Sequence, residues 1–157
     1  MKQLSKRDMF YREVGEAMSM GDSRCFINIE TLKVDIHASE DYFNSNDMED
    51  SAEETTNNPK KFLLLKPIGS RDAFETMEAF INIVNNKYLQ NRLMQAIDQK
   101  KPFANFKKII DSSIERQNWF DFRDKAYAEI AKEWLEDNGS NELLHKIGAL
   151  PIVFIVE

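Results

Sequence analysis

The sequence predicts an α+β fold that is mainly α: a helical bundle of about four to five helices packed on a small antiparallel sheet. Three observations lead there. Residues 70–136 carry apolar side chains at intervals of three and four, the period of one helix face. Leu32, Val34 and Ile36 alternate with Lys33, Asp35 and His37, the period of a strand with one wet face. The chain has 157 residues, 42% apolar and 31% charged, enough to bury a core without disulfides or a metal. Collagen-like, mucin-like, wholly disordered and disulfide-scaffold classes are excluded on the same figures.

The elements follow in order. Phe10, Val14, Ala17 and Met18 share a helix face, with Ser5 or Asp8 as N-cap and Gly21 as the stop, predicting a helix over 6–19. Phe26–Ile29 and Leu32–His37 flank a Glu30–Thr31 turn and read as a β-hairpin. Glu40 to Glu54 holds seven acids and no Lys or Arg, which reads as a flexible acidic arm near 40–59. Phe62–Leu65 is a short buried strand closed by Pro67 and Gly69. Ser70 is a candidate N-cap for a helix bearing Phe74, Met77, Ile81 and Val84. Asn85–Asn86 weakens or breaks it, and Leu89, Leu93, Ala96 and Ile97 form a second stripe. Pro102 suits the first position of a third helix carrying Phe103, Phe106, Ile109 and Ile110. A fourth runs over about 114–136, with Trp119, Phe122, Ala126, Ile130 and Trp134 on one side and Asp121–Lys125 as a surface pair. Asn138-Gly139-Ser140 stops it. Residues 1–139 therefore read as a single globular domain and 140–157 as a C-terminal tail, whose apolar 151–156 run suits an added strand or a self-association surface.

Net charge is −6 and unevenly placed: residues 1–60 carry seven Lys+Arg against thirteen Asp+Glu, whereas 61–157 carry fourteen of each. Nucleic-acid binding would thus need a local basic patch. One cysteine, Cys25, makes neither an internal disulfide nor a Cys-rich zinc site. No apolar run approaches the roughly 20 residues that span a bilayer, and the first residues lack a signal-peptide pattern, so a cytoplasmic location with no membrane partner is expected.

Several residues together look familiar: Asp72-Ala73-Phe74 with Met77-Glu78-Ala79-Phe80-Ile81, then Pro102-Phe103-Ala104-Asn105-Phe106-Lys107, then Trp119-Phe120-Asp121-Phe122-Arg123-Asp124 and Trp134-Leu135, with Ile29 to Val34 upstream. Over about residues 10–137 the chain resembles a bacterial uncharacterised protein family with an F-x-x-F-K … W-x-x-F-[RK]-D signature. Leu32 stands where that family usually has Gly, and the acidic arm is longer than usual. The resemblance implies a compact, mainly helical, cytoplasmic domain and carries over no catalytic residue and no cofactor.

No motif supports a catalytic or cofactor site. His145 follows Glu142 by three, half of a carboxylate–imidazole pair, and His37 has no such partner. The acidic arm lacks the order and turn glycine of a calcium loop. Cys25 opens a strand rather than a helix, where its pKa would fall. G-x-S-x-G and the phosphate-binding glycine patterns are absent, and sequence alone does not show two carboxylates converging. The one patch above background is 100–108: Lys100, Lys101, Phe103, Phe106, Lys107 and Lys108, with Trp119 and Arg123 nearby if the third and fourth helices form a hairpin. Phe103 and Phe106 can face the core, leaving the lysines as a solvated rim. The same residues can anchor a protein partner or bind single-stranded nucleic acid. The expectation is a non-enzymatic protein-interaction or regulatory module, with a nucleic-acid-binding accessory protein as the alternative.

Overall fold

The computed structural model describes residues 4–21, 23–38 and 61–151. The elements run α1 (Lys6–Met18), β1 (Ser23–Asn28), β2 (Val34–Ala38), β3 (Phe62–Leu64), α2 (Ser70–Ile83), α3 (Lys87–Ile97), α4 (Pro102–Asp111), α5 (Arg116–Asn138) and α6 (Asn141–Gly148). Among the described residues this is a mainly α, α+β fold with six helices and a three-stranded antiparallel sheet. Two compact units divide it: the described residues up to Pro67 together with those from Tyr127 on, and Ile68–Ala126. The acidic segment 40–59 lies outside the described residues, as does all of the 151–156 run except Pro151.

In the first unit the sheet order is β2-β1-β3. Cys25, Phe26 and Ile27 of the central strand are all buried. Successive strand residues point to opposite faces, so both faces of β1 are covered. The Cys25 thiol donates to the Ala17 carbonyl at 3.2 Å, which lays α1 over the Cys25 face. Cys25 pairs with Ile36 and Ile27 with Val34. Because β2 is an edge strand, Ile36 remains 46% exposed despite its alternating pattern.

Leu32 belongs to the turn rather than to β2. Asn28 Oδ1 accepts from the Glu30 and Thr31 N–H groups at 3.0 and 3.1 Å, and the Leu32 N–H donates to the Asn28 carbonyl at 2.7 Å. These bonds hold Leu32 at φ 61°, a conformation that costs an L-residue roughly 1–2 kcal/mol. The turn thus keeps glycine-like geometry without the glycine.

Ser5 caps α1 by accepting the Asp8 N–H at 3.1 Å, and Phe10, Val14, Ala17 and Met18 are buried as their spacing requires. Gly15 is the contact point with α5: a Cβ there would lie 2.7 Å from the carbonyl carbon and oxygen of Tyr127. Helix α6 arises inside the segment read as a tail. Ser140 Oγ accepts the Leu143 N–H at 3.1 Å, and Leu143 and Ile147 are buried. The Arg7 guanidinium donates to the Gly148 and Leu150 carbonyls. Arg7 thereby serves acceptors that a helix C-terminus leaves without intrahelical donors. Farther back on α5, Ala131 and Leu135 are the fully inward residues, while Ile130 and Trp134 are half-buried.

The second unit is built from α2, α3, α4 and the start of α5. Gly69, one residue earlier than the expected Ser70, is the N-cap of α2 and makes no side-chain bond. Asn86 separates α2 from α3 and caps α3 by accepting the Leu89 N–H at 3.0 Å. Met77, Phe80 and Ile81 of α2, Leu89, Leu93 and Ile97 of α3, Phe106 and Ile110 of α4, and Trp119 of α5 form one buried cluster. Asp121 accepts from Gln117 Nε2 at 3.0 Å instead of pairing with Lys125.

Gly15→Ala tests the α1–α5 contact. Helix propensity alone would raise stability by about 1 kcal/mol, but a methyl group forced against backbone should lower it by about 1–3 kcal/mol. Denaturant unfolding should show a net loss; a net gain would mean that the two helices do not approach this closely.

Candidate anion-binding groove

The residues of the basic–aromatic patch separate by side-chain chemistry. Phe106 is 2% exposed and Trp119 7%. Their rings meet nearly edge-on at 4.7 Å, and Trp119 also packs on Phe80 at 5.3 Å. Phe103 is 41% exposed and touches Phe74 of α2 edge-on at 6.5 Å. That pair sits with Arg71, Glu75 and Glu78 around a shallow depression of about 450 Å³. Arg123 is half-buried, ion-paired with Asp124 at 3.2 Å and set 5.0 Å from the Phe120 ring centre. Arg116 lies 4.9 Å from the same ring centre and pairs with Asp111 at 3.6 Å.

Lys100, Lys101, Lys107 and Lys108 are exposed. Lys101 is held at φ 59° just before Pro102. The Asn105 side-chain amide fixes this loop, donating to the Lys100 carbonyl at 2.9 Å and to the Ala96 carbonyl at 3.3 Å. One side chain therefore ties the end of α3 to the start of α4 and sets where the two lysines emerge.

Between α3 and α4 runs an open groove of about 400 Å³, lined by Arg92, Gln95, Ala96, Gln99, Asn105, Lys108, Ile109 and Ser112. No carboxylate is among them. On the α3 side Arg92 and Gln95 share the helix face opposite the buried Leu89, Leu93 and Ile97, and Gln99 follows two residues past the helix end. Asn105 and Lys108 lie one turn apart on α4, with Ser112 at its C-cap, turned away from Phe106 and Ile110. Over residues 87–110 there are six Lys or Arg and a single acid, Asp98. Arg92, Lys100, Lys101, Lys107 and Lys108 form no ion pair among the described residues. Ser112 is no free nucleophile: its hydroxyl donates to the Ile109 carbonyl at 3.1 Å.

Other reactive groups lie elsewhere. Cys25 is buried, and burial pushes its thiol pKa up, away from a reactive thiolate. Tyr11 is raised as well, by burial first and the Glu136 carboxylate second. Glu142 pairs with Lys146 at 3.2 Å, and His145 is exposed. Among the described residues no cluster of three metal-ligating side chains occurs, and no helix is long and apolar enough to cross a membrane.

Sequence reasoning missed Arg92, Gln95, Gln99, Asn105 and Ser112. The available signal was the near-absence of acids over 87–110.

Comparison with known proteins adds a family and little else. The model of an uncharacterised protein family, UPF0158, matches residues 19–150. UPF0158 protein PA5073 of Pseudomonas aeruginosa is 30% identical over 83 residues, covering 52% of this chain and 54% of its own length. The chain thus spans about half the length of this curated relative. No solved structure matches it.

The division between core and surface aromatics has a direct test. Phe106→Ala and Trp119→Ala should each lower unfolding free energy by about 3–5 kcal/mol, whereas Phe103→Ala should cost well under half as much. Equal losses at all three positions in denaturant titrations would contradict the packing described.

Proposed function

This chain belongs to the uncharacterised protein family UPF0158, and we propose that it is a non-enzymatic binding module that engages an anionic partner through the α3–α4 groove. The observation that carries this reading is the charge of the groove: Arg92 and Lys108 on its walls, neutral amides and a hydroxyl between them, and no carboxylate. Elsewhere in the same unit Arg71, Arg116 and Arg123 are paired with neighbouring acids. The field of an unpaired cation is not cancelled by a neighbouring acid and decays over a screening length of about 8 Å at physiological salt. Several on one hairpin attract polyanions although the whole chain carries −6. The amides supply donors for the partner's oxygens once charge has brought it in. The non-enzymatic part of the reading is supported by the commitment of Ser112 to backbone and by the absence of a general base among the groove's lining residues.

The full chain should be retained on immobilised heparin at low ionic strength and released by salt. Arg92→Gln with Lys108→Gln should elute at distinctly lower salt. Passage of the unmodified protein through the column at low salt would overturn the reading.

A further inference from the structure

We propose that the partner of this groove is single-stranded nucleic acid, with a base stacked on Tyr88. The inference rests on the anion-binding reading above and extends it by one residue that the groove alone does not explain. Tyr88 is the most exposed aromatic ring among the described residues, at 74%. It lies one turn before Arg92 and continues the face that runs through Gln95. The Arg92 guanidinium sits 5.8 Å from the Tyr88 ring centre, so the cation of the groove wall also covers part of the ring. From Tyr88 to Gln95 this face is about 10 Å long.

Burial does not account for the ring. The core side of α3 is complete with Leu89, Leu93 and Ile97. A large aromatic left in water beside unpaired cations is the pairing that single strands use: cations follow the phosphates while ring faces take unstacked bases. A duplex offers the same phosphates, but its base faces are already stacked and closed to Tyr88. An acidic protein segment offers carboxylates and gives the tyrosine no comparable role. The side-chain amides of Gln95, Gln99 and Asn105 can donate and accept, which suits base edges and sugar hydroxyls without dictating a sequence.

The test uses the full chain and three probes: a fluorescent oligothymidylate of about a dozen nucleotides, a duplex of the same length, and polyglutamate as competitor. In anisotropy titrations at low salt the strand should bind more tightly than the duplex. Tyr88→Ala should weaken strand binding about tenfold and remove the preference, while Tyr88→Trp should preserve it. Because Tyr88 is exposed, neither change disturbs the core. Equal affinity for strand and duplex, an unchanged Tyr88→Ala variant, or displacement by polyglutamate as efficient as by unlabelled oligonucleotide would each overturn the inference. If heparin retention persists in those cases, only the choice of partner fails. If the protein does not bind heparin either, the groove reading fails with it.

Discussion

Trp119 is the constraint on which the second unit turns. Its ring lies between Phe80 of α2 and Phe106 of α4, with centroids 5.3 and 4.7 Å away, and all three are almost fully buried. Aromatic contacts of this kind add about 0.5–1.5 kcal/mol per pair beyond the area they bury. Their larger effect is orientational. Once Phe106 and Ile110 are committed inward, helical geometry places Asn105, Lys108 and Ser112 on the far side of α4. The same logic on α3, with Leu89, Leu93 and Ile97 inward, sends Tyr88, Arg92 and Gln95 outward. The groove is what two such faces leave between them.

Its charge follows from composition rather than from any designed pair. Residues 87–110 hold one acid against six bases, and Asp111 at the end of α4 is taken by Arg116, so the cations here have few local partners, whereas Arg71 of α2 and Arg123 of α5 pair with acids on their own helices. Asn105 then gives the surface definition. By holding the Lys100 and Ala96 carbonyls it fixes the connection between the helices, and with it the left-handed turn at Lys101. A flexible connection would leave the lysines as a diffuse cloud of charge; a tied one presents them from a defined edge.

Much of the fold was legible because local signals agreed with one another. Ser5 and Pro102 mark helix starts, Asn85–Asn86 marks a break, and the spacing of Met77, Ile81 and Val84 or Leu89, Leu93 and Ile97 predicts which faces are buried. Where the reading missed, the cause was tertiary. Ile36 alternates like a buried residue, yet it lies on an edge strand. Leu32 continues that alternation by sequence, but hydrogen bonds accepted by Asn28 hold the chain in a left-handed turn. Helix α6 has only Leu143 and Ile147 as an inward stripe, too little periodicity to read against its flanks. The candidate site was visible as a basic stretch but not as a groove. Phe106 and Trp119 attract attention by type and are core, whereas Arg92, Gln95 and Gln99 look like any solvated helix face until α4 is laid beside them.

The central claim is that the anion site is this groove and no other basic surface of the chain. Titrating isotopically labelled full-length protein with a short heparin oligosaccharide, and following the side-chain amide signals, addresses it most directly. The account predicts that Gln95, Gln99 and Asn105 shift together and saturably, with little change at Asn28 or Asn138. Shifts concentrated outside residues 87–112, with those three amides unmoved, would contradict it.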